Sequence, residues 1–184
     1  GVEEVSKEAR RLIEEGADFL KVMSTGGSTQ GTDPFNPAFS PQELLRIVGE
    51  GHAQDKVVAA HCRTNEAMRM VVDAGFDIIM HGWFTDSTGT RLFDPALADH
   101  IAEHGVRVNP TLHITRSRLV LLRAKRELNE LTEEENEQFK RMEYGYHENL
   151  LNVGRLVRAG VKIMAGSDCG WGIYPFGRFD LELQ

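Results

Sequence analysis

Short apolar segments alternate with helical segments along most of this chain. We predict that five of these segments are β-strands, because they are too short for helices and consist mainly of Val, Ile, Ala, Leu and Met. Strands that read as unbroken apolar runs are typical of parallel sheets whose two faces are covered by helices. The five predicted strands are residues 17–23, 57–61, 77–81, 106–111 and 161–165.

The segments between these strands carry helix signals. Residues 64–74 place apolar side chains three and four positions apart, as on one face of a helix. Ser40 and Thr132 each begin a capping box, and Asp94 is followed by a proline suited to a first helical turn. The stretch 115–160 is predicted to be helical and forms an unusually long crossover. The sequence therefore predicts an α/β protein.

Two architectures agree with this alternation in a single domain of residues 1–184. A complete eight-stranded barrel needs about 250 residues, so five strands indicate a partial TIM (β/α)8 barrel with parallel strands and helical crossovers, whose early strands are absent. A self-contained doubly wound sheet is the alternative. An incomplete barrel exposes strand edges, which favours association with the missing barrel segment or with a second copy as a homo-oligomer.

The charge balance points to a small-molecule substrate. The formal net charge of −7 argues against nucleic acid and anionic membranes, which reward clustered Lys and Arg. No apolar run approaches the roughly 20 residues that a membrane span needs. Only Cys62 and Cys169 are present, far apart in sequence, and we expect both to be reduced thiols. These features favour a cytoplasmic protein.

Four polar residues lie at the predicted carboxyl ends of four strands, where parallel α/β folds build their sites. They are Lys21, His61, His81 and Asp168. A strand-end His or Asp often only caps a neighbouring segment, but all four together are harder to explain that way. A lysine within an apolar strand is expected to be buried, and an uncompensated buried cation costs several kcal/mol.

These residue types suit a divalent metal. A neutral lysine amine can add carbon dioxide to give a carbamate that bridges two metals, and imidazoles with a carboxylate are ligands for zinc. Bound zinc lowers the pKa of water to about 7 and polarises a carbonyl, as amide or ester hydrolysis requires. The alternative from another class is a Schiff-base lyase or aldolase that uses Lys21 as its nucleophile.

At these residues the sequence resembles the amidohydrolase superfamily, in particular its prolidase-like and imidazolonepropionase-like group. The resemblance implies that Lys21 is carboxylated and bridges two metals. It implies that His61 and His81 hold one metal, while Asp168 binds the other and is the catalytic proton shuttle. The matching runs are FLKVMSTGG at 19–27, VAAH at 58–61, IMHG at 79–82, NPTL at 109–112 and AGSD at 165–168.

The sequence departs from that family pattern at two points. The family's first strand supplies a His-x-His pair for the second metal of its binuclear centre, and no such pair occurs in these 184 residues. A catalytically incomplete fragment is therefore a further alternative. Related sequences commonly carry a histidine two residues after the fifth-strand ligand, where this chain has Arg63, so no role is carried over to that position.

Other polar residues near the predicted site have simpler interpretations. His113 is expected to be an ordinary loop histidine rather than part of the pocket. Arg116 and Arg118 either bind a substrate carboxylate or solvate a helix face, and the second interpretation is favoured. The remaining four histidines are expected in helices, without a role in the site. They are His52, His100, His104 and His147.

Overall fold

Four parallel strands form one sheet in the order β1-β2-β3-β4. They are β1 (Phe19–Met23), β2 (Val57–Thr64), β3 (Ile78–Thr85) and β4 (Arg107–Asn109). The structure is a computed structural model that describes residues 1–27, 29–170, 176–177 and 179–183. Parallel pairing of consecutive strands confirms the sheet predicted from the sequence.

Helices precede, separate and follow the strands. The described residues include α1 (Val2–Glu14), α2 (Pro41–His52), α3 (Asn65–Asp73), α4 (Pro95–Glu103), α5 (Leu112–Glu127), α6 (Glu133–Arg158) and a short 3-10 turn at Phe179–Leu181. None of these helices is both long and apolar enough to cross a bilayer.

The predicted caps explain where several helices begin. The hydroxyl of Ser40 accepts from the backbone of Glu43, and Glu43 in turn accepts from the backbone of Ser40. Asp94 caps α4 at the backbone of Leu97. Such caps contribute about 1 kcal/mol each and fix the residue at which each helix begins.

The main core lies between the sheet and the helices of its crossovers. Leu44, Met68, Ile79 and Leu97 are fully buried there, and each such side chain contributes roughly 1.5–3 kcal/mol of transfer free energy. Not every leucine of α2 faces this core, because Leu45 is 60% exposed. The preceding residue Leu44 and the later Ile47 and Val48 fill that face instead, at helical spacing.

The long predicted crossover consists of two helices rather than one. Helix α5 starts at Leu112, earlier than expected, and ends with Asn129 in the left-handed region at φ 56°. The backbone N–H groups of Asn129 and Glu130 donate to Arg126 and Lys125, which is the hydrogen-bond pattern of a helix-terminating Schellman motif. The predicted capping box at Thr132 then starts α6. The α5–α6 hairpin has its own small core, formed by Leu119, Leu122 and Phe139.

Several strand predictions were wrong in extent. Residues 161–165 form no full strand and make one parallel bridge, from Ile163 to Val108 of β4. Strands β2 and β3 continue past His61 and His81 to Thr64 and Thr85, which pair after a shift in register. The two histidines therefore lie within their strands rather than at the strand ends.

Candidate metal centre

A cavity of about 570 Å³ opens where the strands give way to their following loops. Lys21, His61, His81 and Asp168, the four residues singled out from the sequence, all line it. They come from β1, β2, β3 and the loop after the Ile163 bridge. The fold thus brings together side chains that are up to 147 positions apart in sequence, from Lys21 to Asp168. Their role as metal ligands stays a prediction.

The two histidines form the centre of the cavity. Their ring centroids are 4.4 Å apart and both side chains are buried. Nε2 of His61 lies 3.2 Å from the carbonyl oxygen of Gly26, and Nδ1 of His81 lies 2.6 Å from the hydroxyl of Thr111. One nitrogen of each ring is therefore occupied by a hydrogen bond to a protein group. Nδ1 of His61 and Nε2 of His81 are the nitrogens that remain for a metal.

Backbone strain is concentrated at the same residues. His81, Thr111 and Asp168 have φ values of 72°, 49° and 47°, in the left-handed region that residues with a Cβ rarely adopt. Each such conformation costs on the order of 1–3 kcal/mol and persists only where surrounding contacts enforce it. Strain of this kind commonly marks a functional site, and here it fixes the direction of three cavity-lining side chains.

Burial keeps both imidazoles neutral. It lowers the pKa of His61 to about 4, with further lowering by the charges of Arg63 and Lys21. Burial also lowers the pKa of His81 well below its usual value, helped by His61, Arg63 and Lys21. A neutral imidazole has the lone pair that a metal needs, so both rings are ready to bind near pH 7.

Asp168 faces His81 across the cavity. Its Oδ2 lies 4.0 Å from Nε2 of His81. Burial raises the pKa of Asp168, while the positive charge of Lys21 acts in the opposite direction. Asp168 therefore holds a proton more readily than an exposed aspartate does, which suits a group that must accept a proton and release it.

Lys21 was expected to be buried, and this expectation was wrong. Its side chain is exposed although it lines the cavity. The physical reason is the alternation of side chains along β1: Leu20 and Val22 are buried on one face, whereas Lys21 points to the opposite face together with the exposed Phe19 and Met23. The amine is still close enough for its charge to act on His61, His81 and Asp168.

The chemical types of the side chains in the cavity suit a divalent metal ion. Two neutral imidazoles and a carboxylate are zinc ligands, and two donors of one tetrahedral zinc at about 2.0 Å lie about 3.3 Å apart. The distance of 4.0 Å between Nε2 of His81 and Oδ2 of Asp168 is slightly longer than this donor–donor distance. In the part of the chain that the structure describes, no three His, Cys, Asp or Glu side chains are grouped tightly enough to hold a metal by themselves.

The α5–α6 hairpin supplies the other side of the cavity. Ile114 and Arg118 of α5 and Gln138 and Met142 of α6 line it, and Arg118 donates to Gln138 at 3.3 Å. The sequence interpretation that favoured a solvated helix face for Arg118 was therefore wrong. Gln138 and Met142 were not singled out, because nothing in a helical repeat tells which turn covers a distant cavity.

His113 differs from its expected place as well. It lies in α5 rather than in a loop and is only 1% exposed, with its ring 3.0 Å from the hydroxyl of Ser117. Its backbone N–H donates to the carboxylate of Glu182, which also accepts from the backbone of Leu112. His113 is thus part of the support for the start of α5, directly after Thr111, and not one of the described cavity-lining residues.

Comparisons with known proteins agree with this geometry. The amidohydrolase family model matches residues 1–182. Ochratoxinase from Aspergillus niger is 38% identical over 87 residues, which are 47% of this chain and 18% of the ochratoxinase chain. The crystal structure of A. niger ochratoxinase matches with a TM-score of 0.71 at 25% identity, over 91% of this chain and 34% of its own.

Two solved peptidases match similarly. A prolidase complexed with N-methylphosphonate-L-proline gives a TM-score of 0.70 at 30% identity, over 91% of this chain and 38% of the prolidase. A Xaa-Pro dipeptidase with bound methionine gives 0.70 at 25% identity, over 95% of this chain and 40% of the dipeptidase.

These matches decide between the two predicted architectures. The chain spans 34% to 40% of the length of these solved relatives, and its parallel sheet with helical crossovers is part of a TIM barrel rather than a doubly wound sheet. With 182 of its 184 residues matched by the family model, the chain belongs to the amidohydrolase family.

Proposed function

We propose that this protein is a divalent-metal-dependent hydrolase that cleaves a C–N bond in an amide, dipeptide, carbamate or cyclic amide. The observation that carries the proposal is the pair of buried neutral imidazoles 4.4 Å apart, with the Asp168 carboxylate 4.0 Å from His81. His61 Nδ1, His81 Nε2 and an Asp168 oxygen would hold the ion. When bound, zinc or a similar ion would supply a water of lowered pKa and polarise the scissile carbonyl.

Asp168 is the proposed catalytic residue. Its carboxylate accepts a proton from the attacking water and passes it to the leaving amine, which must be protonated before the C–N bond can break. Burial raises the pKa of this carboxyl, so proton acceptance near neutrality is easier than for an exposed aspartate. The left-handed backbone of Asp168 supports this role, because it holds the side chain in the lining of the cavity.

Lys21 is proposed to carry a carbamate formed with carbon dioxide and so to add an anionic ligand that can bridge two metals. Its exposure leaves the amine accessible to carbon dioxide. A binuclear centre needs further ligands, because these 184 residues contain no His-x-His pair.

Peptides are the first substrates to test. Ochratoxinase, the prolidase and the Xaa-Pro dipeptidase share the fold of this chain over more than nine-tenths of its length. The names prolidase and Xaa-Pro dipeptidase point to dipeptides that end in proline. Amides of other amino acids extend the panel.

The test combines metal analysis with hydrolysis in the purified protein. We expect bound zinc or a similar ion, and loss of both metal and activity in Lys21→Ala, with partial recovery on addition of short-chain carboxylates. Lys7→Ala is the matched control, because Lys7 is exposed on α1 and outside the cavity. Covalent trapping of a substrate on Lys21 by borohydride, without metal dependence, would replace this proposal by the Schiff-base one.

A further inference from the structure

Helix α5 begins without a cap from its own first residue. Helices α2, α3, α4 and α6 each follow a residue whose side chain accepts a hydrogen bond from the backbone of the first helical turn. Thr111 holds the same position before α5, and its side chain makes no such bond. Its hydroxyl lies 2.6 Å from Nδ1 of His81 instead. The side chain best placed to cap α5 is therefore used to orient a residue of the proposed metal site.

A carboxylate from a distant part of the chain supplies the missing cap. Oε1 of Glu182 accepts from the backbone N–H of Leu112 at 3.0 Å, and Oε2 accepts from that of His113 at 2.7 Å. These are the first two residues of α5, whose N–H groups have no partner within the helix. The helix dipole also favours a negative charge at this end. Glu182 therefore caps α5 although it lies 70 positions after Leu112.

The segment that carries Glu182 is itself attached to α5. Arg116 of α5 donates to the carbonyl oxygen of Leu181 at 3.2 Å. The backbone N–H of Glu182 donates to the carbonyl oxygen of Phe179, at the end of the short 3-10 turn. Burial raises the pKa of the Glu182 carboxyl, and the two bonds that it accepts from α5 act in the opposite direction. These contacts hold a partly buried carboxylate at the first turn of α5.

The backbone of Thr111 indicates what the protein would do without this carboxylate. Thr111 has φ 49° and ψ 47°, whereas the capping residues of α2, α3, α4 and α6 are extended. An extended Thr111 would lose strain on the order of 1–3 kcal/mol and could accept from the first turn of α5 itself. Without Glu182, the N–H groups of Leu112 and His113 would also lack their acceptor, at a cost of up to about 3 kcal/mol for each group that water does not reach. Both effects favour a conformation in which the Thr111 hydroxyl has left His81.

We propose that Glu182 is a positioning residue for the metal centre: it caps α5 in place of Thr111, keeps the Thr111 hydroxyl on His81 and so leaves Nε2 of His81 available to the metal. The inference rests on the proposed metal site and adds to it a residue outside the described cavity lining. The two carboxylate oxygens of Glu182 bind the backbone of α5, so the effect on the metal passes through the contact between Thr111 and His81.

The position of the imidazole hydrogen of His81 tests this coupling in metal-free protein. Long-range 1H–15N spectra slightly above neutral pH show which ring nitrogen carries the hydrogen, and the His81 signals are assigned by their loss in His81→Gln. We expect the hydrogen on Nδ1 in the unsubstituted protein and a mixture of both tautomers in Glu182→Ala, because a released Thr111 no longer selects one of them. Glu182→Gln keeps one acceptor oxygen, and we expect a smaller share of the second tautomer.

Two results of these spectra would overturn the inference. One is a hydrogen on Nε2 of His81 in the unsubstituted protein. The other is an unchanged Nδ1–H tautomer in folded Glu182→Ala, or in Glu182→Gln if the alanine variant does not fold.

Zinc affinity is the second readout and is measured by competition with a zinc-binding dye. Glu182→Ala should lower the affinity about 10- to 100-fold, as is typical for loss of a group that supports a ligand, and Glu182→Gln about 3- to 10-fold. The double variant Thr111→Val/Glu182→Ala should match Thr111→Val within about threefold, since Glu182 acts through the hydroxyl that valine lacks. Additive losses in the double variant would show that Glu182 does not act through Thr111 and would overturn the inference.

Glu135→Ala is the matched control. Glu135 accepts from the backbone of Thr132 in the capping box of α6, so its loss weakens the start of the other helix of the same hairpin. The His81 tautomer and the zinc affinity should both stay unchanged in this variant. Equal effects of Glu135→Ala and Glu182→Ala would contradict the inference. A changed His81 tautomer in Glu182→Ala, in a protein that binds no zinc, would support the inference and contradict the proposed metal-dependent reaction instead.

Discussion

Thr111 and His81 are joined by a 2.6 Å hydrogen bond between the threonine hydroxyl and Nδ1 of the imidazole. Both residues have left-handed backbone conformations, so the backbone restricts the position of the donor as well as that of the acceptor. When Nδ1–H donates to Thr111, Nε2 carries the lone pair and faces Asp168 at 4.0 Å. The loop after β4 therefore sets which nitrogen of a β3 side chain can bind a metal.

Replacing Thr111 by valine should weaken metal binding without unfolding the protein. Valine keeps the β-branched shape but loses the hydroxyl, and loss of such a supporting hydrogen bond typically costs 10- to 100-fold in metal affinity. Thr111→Ser should restore most of the affinity, because serine keeps the acceptor. Competition with a zinc-binding dye measures both variants. Equal affinities for Thr111→Val and the unsubstituted protein would show that this contact does not orient His81.

Stability of the metal-free protein should fall as the pH is lowered from about 6.5 towards 4. Burial lowers the pKa of His61 to about 4 from the value near 6.5 expected in the unfolded chain, so protons bind preferentially to the unfolded state in this window. The stability from the neutral ring is complete above about 6.5, and the loss on acidification is on the order of 3 kcal/mol. His81 acts in the same direction.

Urea unfolding at several pH values measures this effect. In His61→Gln the pH dependence between 6.5 and 4 should be shallower, since glutamine does not titrate. Identical slopes for the two proteins would mean that His61 is not buried in its neutral form. His147→Gln is a matched control, because His147 is exposed on α6 and outside the cavity.

The two cysteines should differ sharply in reactivity. Cys62 is fully buried, and burial raises the pKa of its thiol to about 12, whereas Cys169 is partly exposed. A thiol reagent at pH 8 should modify one thiol of the native protein and both thiols after denaturation. The fast reaction should disappear in Cys169→Ser. Rapid modification of Cys62 in that variant would show that β2 opens on the timescale of the reaction.

Much of this structure could be predicted from the sequence, because helix periodicity and helix capping each depend on only a few neighbouring residues. Apolar residues that recur every three to four positions mark one face of a helix, and capping residues mark its start; both signals span only a few residues. The starts of α2, α4 and α6 follow in this way from the caps at Ser40, Asp94 and Thr132. The gathering of Lys21, His61, His81 and Asp168 was also foreseeable, because the carboxyl-terminal parts of parallel strands and the loops after them lie at the same edge of the sheet.

The features that were missed depend on contacts distant in sequence. Exposure of Lys21 depends on what covers its face of β1, since Leu20 and Val22 on the other face are buried, and residues 19–23 do not reveal what lies above either face. The Trp83 contact of Arg63 joins two strands, and Gln138 reaches the cavity from a hairpin packed on its own cluster around Phe139. The left-handed backbone at Thr111 runs against the preference of a β-branched residue, so propensity alone predicts a continued strand there.

The hairpin cluster should be the weaker of the two cores. Phe139 is 2% exposed between Leu119 and Leu122, and Phe139→Ala in such a site costs about 3–5 kcal/mol. We expect faster amide hydrogen exchange in α5 and α6, with little change in β2 and β3, because the hairpin packs largely on itself. Leu121→Ala is the matched control, since Leu121 is 47% exposed on α5. Uniformly faster exchange throughout the protein would show instead that the two cores unfold together.

Anomalous diffraction at the zinc absorption edge, from crystals of zinc-loaded protein, tests the proposed metal site most directly. We expect a strong peak about 2.0–2.2 Å from Nε2 of His81 and Nδ1 of His61. Surface histidines offer a built-in comparison, because the rings of His100 and His104 lie 4.2 Å apart beside Asp73. A zinc peak at that surface group with none between His61 and His81 would show that the two buried imidazoles do not form a metal site.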